Sequence, residues 1–373
     1  MSAPGGSVSI HLDCRAVEHA FGRGESLALG VEEELLLVDP RTLALDHRAS
    51  EILPRLGELA KPDVYEASVE TASPVSRTAA DAVAALSGVR DRVREAGATP
   101  IGCGIHPAAP FGEAPHVPGE RYEAIAASMR GFMHRTPTCA LHVHVGMPDP
   151  EAAIRAFNGL RCYLPVFQGL AAHSPYWHGR DSGFASARAQ LFRGLPRAVI
   201  PPAFAGWEDY EAYVAAWLSA GDAPDYTFLW WDLRPHPHLG TVEVRAMDAQ
   251  ARLGSVAGLA ALVHGLTLAV LDGRADPPQP GPEIVESSFR AGRDGLDAAV
   301  RWGSAMRPVR ELAAEAVGLA RAALRERGGE GALEEVDRIL REGNGSDRMR
   351  AAHAEGGMRA VLERLVAESA QAV

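Results

Sequence analysis

Residues 29–39 read Leu-Gly-Val-Glu-Glu-Glu-Leu-Leu-Leu-Val-Asp, which sets three consecutive carboxylates inside an apolar run. The run is typical of a β-strand, in which side chains alternate between the two faces of the sheet. Glu32 and Glu34 are therefore predicted on one face and Glu33 on the other. An ionised carboxylate that is buried without a partner is costly. The stretch is thus either an edge strand with a solvated acidic face or a strand whose paired acids bind a divalent cation.

The composition predicts a soluble globular protein with an acidic balance. The chain has 373 residues and a formal net charge of −11, which argues against a nucleic-acid binder with a broad basic surface. Lys61 is the only lysine, so we expect neither a lysine-based phosphate clamp nor a Schiff base. Four scattered cysteines without CxxC spacing indicate a reducing compartment rather than a disulfide framework.

No association with a membrane is expected from the sequence. The N-terminus lacks the basic start and apolar core of a signal peptide. No run reaches the ~20 apolar residues of a membrane span. The most apolar stretch, residues 256–271, contains His264 and two glycines and is predicted to be a buried helix. These features predict a cytoplasmic protein.

Proline and glycine divide the second half of the chain. Pro148-Asp149-Pro150 is predicted to begin a helix that runs to about Ala172 and that Pro165 kinks or divides. The Gly-, Pro- and Arg-rich residues 174–206 have weak periodicity, which favours an ordered functional loop or lid. Residues 227–232 are predicted to be extended.

Strand-like runs and helical spacing are mixed along the whole sequence, and no repeat or linker divides it. This order predicts an α+β fold with a largely antiparallel sheet. Residues 1–373 are expected to form a single domain, in which residues 1–10 are flexible.

Two further motifs place polar groups on predicted strands. In Leu-His-Val-His-Val, residues 141–145, His142 and His144 share one face, where they are either structural or metal-binding and catalytic. In residues 241–248, Glu243 and Arg245 share a face. They form either a solvated ladder or a metal-binding carboxylate beside an anion-binding guanidinium.

Four acids and one histidine that lie in predicted strands are more informative together than singly: Glu32, Glu34, Glu70, Glu243 and His142. If their strands join one sheet, one face carries a row of like charges that cations must neutralise. Oxygen-rich ligands with one histidine favour Mg²⁺ or Mn²⁺, and Mg²⁺ commonly bridges nucleotide phosphates. The predicted ligands are Glu32, Glu34, Glu70, His142 and Glu243. The arginines that would then neutralise phosphate or a substrate carboxylate are Arg188, Arg193, Arg234 and Arg245.

The sequence contains no GxxxxGK[ST] phosphate loop and no GxGxxG after a strand, so a P-loop or Rossmann site is not expected. Its ordered motifs are instead Gly30-Val-Glu-Glu-Glu-Leu-Leu-Leu-Val-Asp39, Val69-Glu-Thr-Ala-Ser-Pro74, Leu141-His-Val-His-Val-Gly146, Ser174-Pro-Tyr-Trp177, Trp231-Asp-Leu-Arg-Pro235 and Thr241-Val-Glu-Val-Arg245. Their succession resembles that of the glutamate–cysteine ligase type 2 family of carboxylate–amine ligases.

The resemblance implies a glutamine synthetase-like fold, in which a curved antiparallel sheet forms a funnel with helices on its outer face. It implies ATP- and Mg²⁺-dependent amide formation, γ-glutamyl in type, through an acyl phosphate. It also implies the residue roles. Glu32, Glu34, Glu70, His142 and Glu243 would hold metal, with Asp63 a weaker candidate, and the nucleotide would contact Arg234, Arg245 and His144. The catalytic residues would be Arg188, on a covering loop, with Arg234 and Arg245.

The chain departs from the family pattern at several positions, which include Phe184, Ala187 and His178. These departures concern the identity of the substrates more than the class of reaction. We expect a small carboxylate such as glutamate, an amine substrate and a homodimer. The alternatives are a metal-dependent amide hydrolase, which would not need ATP, and a non-catalytic relative that binds a nucleotide or metabolite.

Overall fold

A seven-stranded antiparallel sheet organises the fold, and its longest strand carries the three glutamates. The computed structural model describes residues 18–112, 114–221 and 223–372, so the flexibility predicted for residues 1–10 lies outside the described residues. The strands of the described residues are β1 (Leu29–Val38), β2 (Ala60–Pro62), β3 (Ser68–Ala72), β4 (Thr99–Ile101), β5 (Ala140–Gly146), β6 (Tyr176–Trp177), β7 (Arg180–Asp181), β8 (Leu233–His236), β9 (Thr241–Asp248), β10 (Ala299–Trp302) and β11 (Ala305–Pro308).

The strand order of the main sheet is β2-β3-β1-β5-β9-β8, and β4 pairs with the end of β1. All of these pairs are antiparallel. Two short hairpins, β6–β7 and β10–β11, stand apart from it. The predicted α+β class with a mainly antiparallel sheet is confirmed. The central position of β1 excludes the solvated edge strand as an explanation of the glutamates.

Helices cover the face of the sheet opposite Glu32 and Glu34. The α-helices of the described residues are α1 (Ala49–Leu56), α2 (Ala79–Glu95), α3 (Glu120–Met129), α4 (Pro150–Arg161), α5 (Leu164–Ala171), α6 (Ala187–Arg193), α7 (Trp207–Ala220), α8 (Leu253–Leu271), α9 (Ile284–Asp294), α10 (Val309–Leu324), α11 (Glu334–Glu342) and α12 (Gly345–Ser369). The largest apolar cluster joins α2, α4 and α8 to the side chains of β1, β5 and β9 that face away from the acids.

Helix α8 contains the apolar stretch that was predicted to be a buried helix, and this prediction is confirmed. By length and composition α8 could cross a membrane, but 89% of its most apolar window is buried inside the protein. A core helix of this kind is apolar all round because it is surrounded by other elements. The helix therefore needs no membrane to explain its composition.

Glu33 lies on the helix-covered face, as the strand alternation predicts. Its carboxylate makes a two-point ion pair with Arg90 of α2, with contacts of 2.5 and 3.1 Å. Both side chains are completely buried, at 1% and 0% exposure. Arg90 also donates to the backbone carbonyls of Gln250 and Ala251. Glu33 thus ties β1 to the helical layer and lies on the opposite face from Glu32 and Glu34.

The proline-based predictions had two outcomes. The helix from Pro150 is divided before Pro165, as predicted, since α4 ends at Arg161 and α5 begins at Leu164. The prediction that residues 227–232 are extended is wrong. This part is a short 3₁₀ turn followed by irregular backbone, and the strand begins at Leu233.

Candidate active site

A cavity of about 510 Å³ opens on the face of the sheet opposite the core helices. Its walls include side chains from six strands: β1, β2, β3, β5, β8 and β9. The structure brings together every residue that was predicted for the site except Arg193. Its lining includes Glu32, Glu34, Glu70, His142, His144, Arg188, Arg234, Glu243 and Arg245, together with Asp63.

The register of the sheet accounts for this convergence. Directly opposed side chains have Cβ atoms about 4.5–5.5 Å apart, so pairing alone makes them neighbours. The opposed pairs in the cavity are Glu34–Glu70, Glu32–His142, His144–Glu243 and Glu243–Arg234. A register shift between β5 and β9, after Leu141, interrupts the ladder beside these pairs. Such irregularities commonly re-aim a side chain next to an active site.

Two imidazoles form the centre of the acidic cluster. The Nδ1 atom of His142 is 3.4 Å from Oε2 of Glu32 and 3.8 Å from Oε1 of Glu243. Its Nε2 atom is 3.5 Å from Oε1 of Glu34. The Nε2 atom of His144 is 3.6 Å from Glu32 and 3.7 Å from Glu243. The histidines therefore face the carboxylates and not the apolar core.

The donor set fits a divalent cation. Ligand atoms of Glu32, His144 and Glu243 lie within 4.8 Å of one another. The Nε2 atoms of His142 and His144 are buried and have no hydrogen-bond partner in the described part of the chain. Burial, and then the charge of Arg245, lowers the pKa of His142 to about 3, so this imidazole stays neutral, as a metal ligand must be.

A second group of possible ligands contains Glu34, Asp63 and Cys139. Burial raises the pKa of Cys139 well above its usual range, so its sulfur stays a thiol. A thiol is a poor ligand for the hard cations that carboxylates prefer. The set of Glu32, His144 and Glu243 is therefore the better metal site.

The acids of the cluster differ in their readiness to ionise. Burial, and then the charge of Asp63, raises the pKa of Glu34 to about 8. Burial, followed by the charge of Glu32, raises the pKa of Glu70 well above its usual range. Burial also acts on Glu32, but its interactions with the imidazoles of His142 and His144 outweigh burial and lower the pKa of Glu32. Glu34 and Glu70 are thus less well compensated by their neighbours than Glu32, and a bound cation would favour their ionised forms.

Arg234 and Arg245 both contact Glu243 rather than standing free in the cavity. The Nε atom of Arg234 is 2.6 Å from one carboxylate oxygen, and Arg245 donates to the other. Burial would raise the pKa of Glu243, but the two guanidinium charges hold it well below its usual range. Glu243 therefore stays ionised, and the two arginines are fixed at the cavity wall.

Arg188 reaches the cavity from the second position of α6, within the predicted loop of residues 174–206. Asp248, at the end of β9, fixes this segment at two points. Its carboxylate accepts hydrogen bonds from the Ser174 hydroxyl at 2.7 Å and the Ser186 hydroxyl at 2.8 Å. The Arg188 guanidinium lies 3.8 Å from the same carboxylate. The segment is ordered, and Asp248 fixes where Arg188 enters the site.

Other residues of the cavity were not singled out from the sequence. Arg135 lines it, donates to the carbonyl of Leu191, and has no carboxylate within ion-pair distance among the described residues. Its position on a 3₁₀ turn boundary gives no periodic signal that could have revealed it. Lys61 lines the cavity from β2, and its being the only lysine was a signal that the sequence did offer. Arg193, in contrast, pairs with Asp232 and is absent from the lining.

Comparison with known proteins gives consistent matches over nearly the whole chain. The model of glutamate-cysteine ligase family 2 (GCS2) matches residues 28–367. A Rubrobacter xylanophilus protein with the provisional name glutamate–cysteine ligase 2-3 is 39% identical over 366 residues, covering 95% of this chain and 100% of that protein. The glutamate–cysteine ligase of Halobacterium salinarum is 36% identical over 292 residues, covering 74% and 81% of the two chains.

The fold also matches a solved structure. The crystal structure of a glutamate–cysteine ligase from Francisella tularensis, in complex with AMP, has a TM-score of 0.71. The match covers 92% of this chain and 89% of that one. The sequences are 12% identical, so this likeness concerns the fold.

Proposed function

The chain belongs to glutamate–cysteine ligase family 2, and from this premise we propose that it is an ATP-dependent ligase that joins a small carboxylic acid to an amine. The observation that carries the proposal is the cluster of Glu32, His144 and Glu243 on one sheet face, beside the arginines of the same cavity. Phosphoryl transfer to a carboxylate needs these two kinds of group: cation ligands for the phosphates and guanidinium groups for the developing charge.

The residues that would hold a divalent cation are Glu32, His144 and Glu243, with Glu34, Glu70 and His142 around them. Mg²⁺, when bound, would neutralise the charge of the ATP phosphates and align them for transfer. Arg234 and Arg245 keep Glu243 ionised and in place, so this ligand does not need to be reorganised when a cation arrives. The imidazoles of His142 and His144 would supply nitrogen ligands from the centre of the cluster.

The proposed reaction has two steps. A carboxylate oxygen of the acid substrate attacks the γ-phosphorus of ATP, and ADP leaves. The amine nitrogen then attacks the carbonyl carbon of the acyl phosphate, inorganic phosphate leaves, and the amine loses a proton. Arg188 and Arg245 offer their charges to the acyl phosphate. The segment that Asp248 anchors would exclude water, which otherwise hydrolyses such an intermediate.

We propose an amino acid such as glutamate as the acid substrate. Its reacting carboxylate must reach the phosphate, and its second carboxylate needs a positive partner away from the acidic cluster. Arg135 suits this role because it lines the same cavity without a carboxylate partner among the described residues. A guanidinium binds a carboxylate through two parallel hydrogen bonds, which also orients the substrate.

The proposal is tested by incubating the protein with ATP, Mg²⁺, glutamate and a panel of amines that includes cysteine. Phosphate release should require both the acid and the amine, and mass spectrometry should detect the amide. Hydroxylamine should trap the acyl phosphate as a hydroxamate. ATP consumption that never depends on an acid or an amine would contradict the proposal.

Glu70→Gln provides the matched loss-of-function variant, because it removes one carboxylate from the cluster and keeps the shape of the side chain. Glu58→Gln is the control, since it is the same substitution at an exposed position outside the cavity. Amide formation should fall below detection in the first variant and stay at the wild-type rate in the second.

We further propose Mg²⁺ as the physiological cation, a cytoplasmic location, a homodimer and a single domain. Symmetric dimers are the commonest oligomers of soluble proteins. Light scattering on the purified protein would determine its mass in solution, and a monomer would refute the dimer without affecting the proposed reaction.

A further inference from the structure

The ammonium group of a lysine contacts the part of the acidic cluster that the arginines do not reach. Lys61 is the only lysine in the sequence, and it stands opposite Glu70 in the register of β2 and β3. Its ammonium nitrogen lies 2.7 Å from Oε1 of Glu70 and 3.6 Å from Oε1 of Glu32. One ammonium group therefore bridges two of the carboxylates that were predicted to bind metal.

The contacts of Lys61 compete with those of a divalent ion. Mg²⁺ binds carboxylate oxygens at about 2.0–2.1 Å and requires a near-ideal octahedral shell. An ammonium that contacts oxygens of the same carboxylates occupies space that such a shell needs. Glu70 is absent from the compact ligand set of Glu32, His144 and Glu243, and its carboxylate contacts the lysine instead.

The two sides of this contact differ in their freedom to move. The carboxylates belong to interior strands, and their side chains are only 15% and 17% exposed. Lys61 belongs to β2, the edge strand of the sheet, and its side chain is 58% exposed. The long, flexible stem of a lysine can swing away without any change in the backbone, whereas the acids would stay in place.

We propose that Lys61 is a tethered cation that neutralises Glu70 and Glu32 when the divalent ion is absent and leaves when that ion binds. The inference rests on the proposed function, which places a divalent ion at these carboxylates. Lys61 would then set the metal affinity of the site. A lysine that occupies the carboxylates about 90% of the time weakens the apparent affinity about tenfold, because only the remaining fraction of molecules is competent to bind.

The single lysine allows a direct test on the wild-type protein. Growth on lysine labelled with ¹³C at Cε and ¹⁵N at Nζ gives one side-chain signal from the untagged chain. Without metal, the signal should show a restrained ammonium with slowed hydrogen exchange. Addition of Mg²⁺ should move it to the position and mobility of a free lysine side chain. A signal that keeps its restrained state at saturating Mg²⁺ would overturn the inference.

Titration calorimetry with Mg²⁺ supplies the second measurement. Lys61→Gln should bind Mg²⁺ about tenfold more tightly than the wild type, since the competitor is gone. Arg77→Gln is the matched control, because Arg77 is exposed and pairs with Glu25 outside the acidic cluster. It should leave the affinity unchanged. Equal tightening in both variants would mean that only the net charge matters, and would refute displacement.

The two measurements separate this inference from the proposed function. If Mg²⁺ binds, amide forms and the lysine signal does not change, the inference fails alone. If neither the wild type nor Lys61→Gln binds Mg²⁺ or forms amide, the proposed function fails and the inference with it. If Lys61→Gln binds Mg²⁺ at concentrations where the wild type does not, competition by the lysine is supported.

Discussion

Glu33→Gln is expected to lower the free energy of unfolding by about 3 kcal/mol, although the change lies on the face of β1 away from the cavity. The substitution leaves the charge of Arg90 buried without its counter-ion, and removing one partner of a buried pair costs about 3–5 kcal/mol. The lower value applies because Arg90 keeps its hydrogen bonds to the carbonyls of Ala251 and Gln250, at 2.6 and 2.8 Å. The glutamine oxygen can also still accept one bond.

Urea unfolding of the metal-free protein, followed by circular dichroism, measures this difference. Glu34→Gln is the matched variant, since it makes the same change one residue along the strand but on the cavity face. It should keep or gain stability, because burial opposes the ionisation of Glu34. A Glu33→Gln protein as stable as the wild type would refute the argument, as would an equal loss in both variants. Replacing Glu33 and Arg90 together with Leu and Met should recover part of the loss.

Three further predictions concern the cavity. In the metal-free protein, the free energy of unfolding should fall as the pH rises from about 5 to about 8. Burial and the charge of Asp63 raise the pKa of Glu34 from 4.5 to about 8, so in this range the folded state keeps a proton that the unfolded chain releases. Urea titrations should show a loss of about 3 kcal/mol near neutral pH, and saturating Mg²⁺ should remove this slope. Glu243→Gln should abolish Mg²⁺ binding in calorimetry, and wild-type affinity would contradict this. It should also lower the free energy of unfolding in urea by about 3 kcal/mol, because two arginines lose their partner. Asp248→Asn should lower kcat up to about 100-fold and speed proteolysis of residues 174–186, since the segment loses its anchor; a wild-type kcat would show that the anchor is dispensable.

The alternation of side chains made the face assignments predictable from the sequence. A strand has a period of two, so three consecutive acids must divide between its faces whatever the sheet around them. His142 and His144 follow the same rule, with Val143 and Val145 in the apolar core. The sequence could not show which residues the side chains on each face contact. Arg90 lies 57 residues from Glu33, and no local pattern links the two.

The strand β8 lies just after the run wrongly predicted at residues 227–232, and it contains a proline. Proline cannot donate to a ladder, so Pro235 gives no local sign of a strand. In the structure Pro235 lies inside β8, opposite Val242. Since β8 is the last strand of the sheet, its outer side has no neighbouring strand and the missing N–H group costs little. Edge position depends on the whole topology, which local sequence does not specify.

The same strand shows two different ways to bury acidic charge, and the difference separates structure from function. Glu33 has a permanent partner, because Arg90 is fixed and completely buried. Glu32 has only looser contacts, with imidazoles at 3.4 and 3.6 Å and a half-exposed ammonium at 3.6 Å. Glu32 therefore keeps partners that are weak or able to leave, so its oxygens stay available to a cation, whereas those of Glu33 do not.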